Sequence, residues 1–290
     1  MFYTQHYDQK LEEAKARKMG EVMPIGVIVR GEDPVASLRR VKTLGIPTCQ
    51  MYALPDEWRS ERNIEKIKNV ISETGVRITC LFCHFEGESY ADIPTIKKTV
   101  GLLNADTRTE RIEKTLTFSD FAKKLNIPAL AAHIGFIPED EDDPNYNELI
   151  KAMQKICDYC NDNGQKFALE TGQESPETLS IFIEDVNRLN IGINFDPANM
   201  LLYDKGDPIK ALDVLGKYVI GVHCKDGKRP ERRNELGEEL PLGEGDVGIE
   251  QFINKLKEIG YTGPLTIERE ISGKQQTKDI LKAKKLLEIG

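Results

Sequence analysis

The segment VIGVHCKD (219–226) passes within a few residues from small and β-branched side chains to His223, Lys225 and Asp226, groups that do not belong in an apolar core. On an extended strand alternate residues share a face. Gly221, His223 and Lys225 therefore point one way, and Val222 and Cys224 the other. Three other apolar segments end similarly: FALETG carries Glu170, INFDPAN carries Asp196 and LTIERE carries Glu268. Parity sets each of these acids on a small or polar face (Ala168/Glu170/Gly172, Gly192/Asn194/Asp196, Thr266/Glu268/Glu270), opposite Phe167, Leu169, Ile193, Phe195, Leu265 and Ile267. A lone acid at a strand end reads as a loop cap or an ion-pair partner. Three facing inward would repel one another and resist desolvation unless a cation lay between them. Glu170, Asp196, His223 and Glu268 thus read as ligands of one divalent metal. A hard, oxygen-rich set of this kind favours Mn2+ or Mg2+, allows Co2+ and suits Zn2+ less.

Such convergence requires a fold that gathers strand ends. A short apolar strand, a loop and an amphipathic helix recur eight times. The strands are expected at 23–29, 47–53, 77–85, 128–136, 166–172, 191–198, 218–226 and 264–270. Helices are expected between them, for instance at 63–73, 107–125, 146–162, 176–188, 249–259 and 277–287. Ile64, Ile67, Val70 and Ile71 illustrate their three- and four-residue apolar spacing. Asn163-Gly164 and Gly260 close helices, and Ser175-Pro176 opens one. Near-continuous apolar strands imply a parallel sheet buried on both faces. Eight βα units then point to a single (β/α)8 TIM barrel over residues 23–290. An open doubly wound sheet competes, but no glycine-rich dinucleotide turn follows the first strand. A charged helix at 4–19, within an extension over residues 1–22, is expected outside the core.

Three connections after strand C-termini exceed what packing needs: 86–105, 136–147 and 227–248. The last is polar and glycine-rich, carries Arg229, Arg232 and Arg233, and reads as a lid over the barrel mouth. Those arginines would suit an anionic group, with a solvated charge run as the plainer alternative.

A net charge of −8 argues against a broad nucleic-acid or anionic-membrane surface, and no apolar run is long enough for a membrane helix. The first eighteen residues are too charged for a secretory leader, so a cytoplasmic location is expected. The CxxC pairs Cys80/Cys83 and Cys157/Cys160 fall in a strand and a helix rather than on zinc-knuckle turns, and read as structural thiols.

The strings HIGFIPED, LETGQE, NFDPANM, VHCKDG, PLGEGDV and GPLTIERE occur in order on these strands and connections. Together they resemble the sugar phosphate isomerase/epimerase superfamily of xylose isomerase-like barrels, from about residue 24 to the C-terminus. The resemblance implies that Glu170, Asp196, His223 and Glu268 hold one divalent ion. It also implies a small-molecule sugar substrate and leaves a homo-oligomer possible. In such a site the metal chelates a carbonyl and the neighbouring hydroxyl, acidifying the carbon between them toward an enediolate. Glu170 and Glu268, across the site from each other, would then be the acid/base pair. Without proton return the same chemistry expels a leaving group, as a dehydratase or lyase acting on a keto-sugar or keto-inositol would. A non-catalytic sugar-binding barrel is the alternative outside the enzymes. Related apurinic endonucleases use three metals and many histidines, whereas this chain has four histidines.

Contacts to substrate are expected from His133 and His84 at the ends of the fourth and third strands. Lys225 is expected to add another, with a salt bridge to Glu270 as the plainer reading; Glu270 is also the alternative ligand on the eighth strand. Trp58 and Tyr52 could stack on a sugar, and Arg229 could meet an anionic group. Ketose 3-epimerases of the superfamily carry histidine three residues after the aspartate, where this chain has Asn199. The connection after the seventh strand is also longer than theirs.

Overall fold

The computed structural model describes residues 22–31, 33–140, 142–232 and 234–289. The expected helix at 4–19 and Arg233 lie outside the described residues. Eight parallel strands close a barrel: β1 (Ile25–Val29), β2 (Thr48–Tyr52), β3 (Arg77–Phe82), β4 (Ala129–Ala132), β5 (Lys166–Glu170), β6 (Ile191–Phe195), β7 (Val219–Cys224) and, after a hairpin, β10 (Leu265–Ile267). Each strand pairs with its sequence neighbour, and β1 with β10 completes the ring through Ile25↔Leu265, Gly26↔Thr266 and Val27↔Ile267. The helices are α1 (Pro34–Thr43), α2 (Glu61–Thr74), α3 (Ile93–Thr99), α4 (Ala105–Lys124), α5 (Pro144–Asp162), α6 (Pro176–Val186), α7 (Pro197–Leu202), α8 (Pro208–Leu215), α9 (Ile249–Glu258) and α10 (Gly273–Ile289).

Parity sorts the core as the sequence implies. Phe167, Leu169, Ile193, Phe195, Leu265 and Ile267 join the large apolar cluster between strands and helices. A small separate cluster of Cys80, Phe82, Ala131 and Ala168 fills the barrel interior. Several helix starts are fixed by side chains that accept orphan amides. Asp33 serves α1 and Ser175 serves α6, each followed by proline in the first turn. All six cysteines are free and buried; burial pushes the Cys49 thiol up to about 12 and Cys160 up to about 11.

Apart from β1, which ends at Val29 as expected, the barrel strands end earlier than the apolar runs suggest, by one to four residues. The chain beyond them leaves the ladder to build the rim: Asp196, for example, already caps α7. Within 86–105 the chain forms α3, with Asp92 as its cap. The 227–248 segment carries an antiparallel pair, β8 (Asp226–Lys228) with β9 (Glu238–Leu240). Asp226 anchors that segment: Oδ1 accepts from the backbone N–H of Gly227 and Val247, and Oδ2 from Gly243 and Gly245. Its place is therefore in the loop rather than the site. Among the described residues no helix is long and apolar enough to cross a membrane.

Candidate metal centre

Glu170 is the last residue of β5, His223 lies in β7, and Asp196 and Glu268 each stand one residue past β6 and β10. All four are buried, and one ligand atom from each lies within 4.8 Å of the others. His223 Nδ1 is 3.0 Å from Glu170 Oε1, 3.0 Å from Glu268 Oε2 and 3.6 Å from Asp196 Oδ2. Donor atoms around one divalent ion are at most roughly 4–5 Å apart, twice a metal–oxygen bond, so the spacing fits a single cation.

Two further observations support the fit. Asp196 Oδ1 caps α7, accepting from the N–H of Ala198 at 2.8 Å and of Asn199 at 3.0 Å, whereas Oδ2 is buried without a hydrogen-bond partner. His223 Nδ1 likewise lacks one. Buried polar atoms are normally satisfied, and these two face the same point as the free oxygens of both glutamates.

Those glutamates are held by their other oxygens. Asn194 Nδ2 donates to Glu170 Oε2 at 2.5 Å, and Arg30 donates to Glu268 Oε1 while also bridging to Glu270 at 2.8 Å. Lys225 is buried beside them. Its Nζ donates to Asn199 Oδ1 at 3.0 Å and lies 3.4 Å from Glu270, 3.5 Å from Glu268 and 3.6 Å from Asp196. This unequal company separates the two acids. Burial pushes Glu170 up to about 7, with His223 opposing. Burial also raises Glu268, but Lys225, His223 and Arg30 together outweigh it and hold that carboxyl well below the usual range. Burial disfavours the imidazolium of His223, yet Glu170 and Glu268 raise it well above a free histidine.

The centre floors a cavity of about 460 Å3. One wall is aromatic: Phe82 stacks on Tyr52 at 5.1 Å between ring centres and lies 6.0 Å from the rings of both His133 and His223. His133, Asn199, Lys225 and Tyr52 all line this space, and His84 lines its exposed rim. Burial and Lys225 lower His133 to about 3, so its imidazole is neutral, and its Nδ1 has no partner. Leu236, Gly237 and Glu239 of the β8–β9 hairpin close one side, and Glu239 ties the hairpin to the end of β10 by accepting from the Glu270 N–H. Gly172, at φ +135°, lets the chain after β5 pass close to Asn199: a Cβ there would lie 2.4 Å from that of Asn199.

Other expected site residues are elsewhere. Trp58 packs, partly buried, against the outer core and does not line the cavity. Arg229 turns away to Asp204 and the Gly206 carbonyl, and Arg232 pairs with Glu235. These loop arginines satisfy local acceptors instead of the mouth. Glu270 stands at the rim between Arg30 and Lys225, outside the four-residue cluster, so the salt bridge foreseen for Lys225 is formed. Sequence reading missed Arg30, directly after β1, and Gln50, whose Oε1 lies 2.9 Å from His223 Nε2. A polar residue inside the apolar run PTCQMYA was the available signal for Gln50.

Comparison with known proteins agrees with this architecture. The profile of the xylose isomerase-like TIM barrel family matches residues 38–288. An uncharacterised protein of Methanocaldococcus jannaschii is 30% identical over 202 residues, 62% of this chain and 66% of that one. The L-ribulose 3-epimerase of Methylomonas is 27% identical over 142 residues, 47% of this chain and 46% of the enzyme. The match thus spans less than two thirds of either relative. A crystal structure of a xylose isomerase domain protein from Planctomyces limnophilus superposes with a TM-score of 0.88 at 44% identity, covering 92% of this chain and 96% of that one.

Proposed function

Because this chain belongs to the xylose isomerase-like TIM barrel family, we propose that it is a divalent-metal-dependent sugar isomerase or epimerase. It would move a proton on the carbon beside a carbonyl, with Mn2+ or Mg2+ held by Glu170, Asp196, His223 and Glu268. The observation that carries this reading is the meeting of two orphaned buried atoms, Asp196 Oδ2 and His223 Nδ1, with two anchored carboxylates at the floor of a cavity. The similarity to an L-ribulose 3-epimerase supports a ketose as substrate.

The bound ion would polarise the carbonyl and neighbouring hydroxyl of an α-hydroxy ketone and acidify the C–H between them. Glu170 and Glu268 then transfer the proton. Each has one oxygen held, by Asn194 or by Arg30, so the carboxylate is fixed at the cavity floor without side-chain reorganisation. One glutamate, as a carboxylate, would take the proton from one face while the other, in its acid form, returns one to the opposite face; Lys225 and Arg30 beside Glu268 favour its ionised form. Lys225 and Asn199 offer donors to a substrate oxygen where the related 3-epimerases use histidine. Neutral His133 offers its Nδ1 to a hydroxyl, and the Phe82–Tyr52 wall covers the sugar's C–H face. The hairpin side of the cavity limits water.

The test is solvent-deuterium exchange into a panel of ketoses by the Mn2+-loaded protein, followed by NMR. Deuterium should enter at the carbon beside the carbonyl, and Glu170→Gln or Glu268→Gln should slow it by about 10²–10⁴-fold. No exchange into any ketose at full metal occupancy would overturn the proposal. A product one water lighter would place the chain among the dehydratases instead.

A further inference from the structure

Beneath the cavity, and not lining it, two buried amides bridge the barrel interior from β2 to β6. Gln50 Nε2 donates to Asn194 Oδ1 at 2.8 Å, and Asn194 Nδ2 donates to Glu170 Oε2 at 2.5 Å. Gln50 Oε1 faces His223 Nε2 at 2.9 Å. We propose that Gln50 and Asn194 are positioning residues that keep His223 as its Nε2–H tautomer, leaving the Nδ1 lone pair to the metal. This inference rests on the reading of the four residues as a metal centre.

The polarity of the bonds fixes how each amide is turned. Glu170 Oε2 accepts, so the group of Asn194 against it must be the NH2 end; Asn194 then presents Oδ1 to Gln50. Gln50 meets that oxygen with its own NH2 and turns Oε1 to His223, which satisfies it only with a proton on Nε2. Reversing both amides would set Asn194 Oδ1 against Glu170 Oε2 and press two acceptors together. Asn194 Nδ2 also lies 3.0 Å from His223 Nε2. Its second amide hydrogen could point there, but Gln50 Oε1, at 2.9 Å, has no other side-chain hydrogen-bond donor among the described residues, and a proton on Nε2 is what satisfies it. A proton on Nδ1 alone would leave that oxygen facing a lone pair. Two metal ligands are in this way oriented by one chain of hydrogen bonds, and the second partner of a ligating histidine commonly fixes its tautomer.

The backbone is shaped for this arrangement. The β2–β3 register shifts between Cys49 and Gln50, and the β6–β7 register between Ile193 and Asn194. Such irregularities re-aim side chains. Opposite Asn194 stands Gly221, where any Cβ would fall 2.4 Å from Asn194 Oδ1.

The tautomer can be measured on the unaltered full-length protein saturated with Mg2+, by 15N–1H correlation of the imidazole nitrogens. Nε2 should be protonated and Nδ1 not. Gln50→Met keeps the side chain's length but neither donates nor accepts, and should weaken Mn2+ binding by about 10–100-fold. Gln50→Glu reproduces both bonds in its neutral form and should bind within roughly threefold of the parent. An Nδ1–H tautomer in the loaded protein, or Gln50→Met binding Mn2+ as tightly as the parent, would overturn the inference. If Gln50→Met does not fold, the spectrum of the parent decides. Neither readout needs a sugar, so failure of ketose exchange would refute the proposed reaction and leave the positioning role standing. Gln50→Met binding Mn2+ as tightly as the parent would do the reverse, while an Nδ1–H tautomer in the loaded protein would refute both.

Discussion

Asp196 performs two tasks through two different oxygens, and a single substitution separates them. Oδ1 caps α7 through bonds of 2.8 and 3.0 Å, while Oδ2 has no partner and faces His223 Nδ1 at 3.6 Å. Asp196→Asn keeps a carbonyl oxygen for the cap and replaces the ligand oxygen with an NH2 group. The metal-free variant should therefore stay within about 1 kcal/mol of the parent, because the cap survives and one of three clustered carboxylates is gone. Asp196→Ala loses the cap as well and should fall by about 1–2 kcal/mol more. Metal binding should respond differently. Either variant removes a charged ligand, and a loss of at least about 100-fold in Mn2+ affinity, about 2.7 kcal/mol, is expected. Thermal melts in chelator give the first comparison and titration calorimetry the second. The reasoning fails if Asp196→Asn binds Mn2+ like the parent, or if it melts as low as Asp196→Ala.

Three further outcomes follow from the same geometry. In the metal-free protein burial sets Glu170 near 7, and its acidic neighbours hold His223 well above its ordinary value, so an incoming ion must displace protons from both. Mn2+ binding should release protons at neutral pH and tighten as pH rises, by up to about tenfold per pH unit for each proton released; calorimetry in buffers of unlike ionisation enthalpy would show no proton release if this is wrong. Burial pushes Glu174 up to about 8 from 4.5, so the folded state binds the extra proton and stability declines as pH rises through that window. At 1.36 kcal/mol per tenfold the rise sets a ceiling of about 5 kcal/mol on what Glu174→Gln gains above pH 8, and denaturant midpoints that move alike for variant and parent between acid and alkaline buffer would contradict it. Gly172→Ala combines a positive φ with a clash against Asn199, and should lower stability by about 1–3 kcal/mol; a melting temperature equal to the parent's would show the close approach to be unimportant.

Much of this site could be read from the chain because buried parallel strands impose a strict alternation. Glu170 and His223 lie within their ladders, where parity holds, and both point inward as read. Asp196 and Glu268 lie one residue beyond theirs, and the reading survived because the backbone had not yet turned. Further past the strand ends it held only in part: His84 and Asn199 line the cavity as expected. Arg229 turns to Asp204 and a carbonyl, because a loop's own unpaired groups compete for nearby charges. Trp58 went to the outer core by the same uncertainty of direction. Arg30, Gln50 and Asn194 meet their partners across separations of 238, 173 and 24 residues. Contacts across a barrel follow from closure and shear, and neither leaves a mark in local sequence pattern.

The most direct measurement is the anomalous scattering of a crystal soaked with Mn2+. One strong peak is predicted among the four residues, about 2.0–2.3 Å from an oxygen of Glu170, Asp196 and Glu268 and from Nδ1 of His223. A peak elsewhere, or none at saturating Mn2+, would contradict the account.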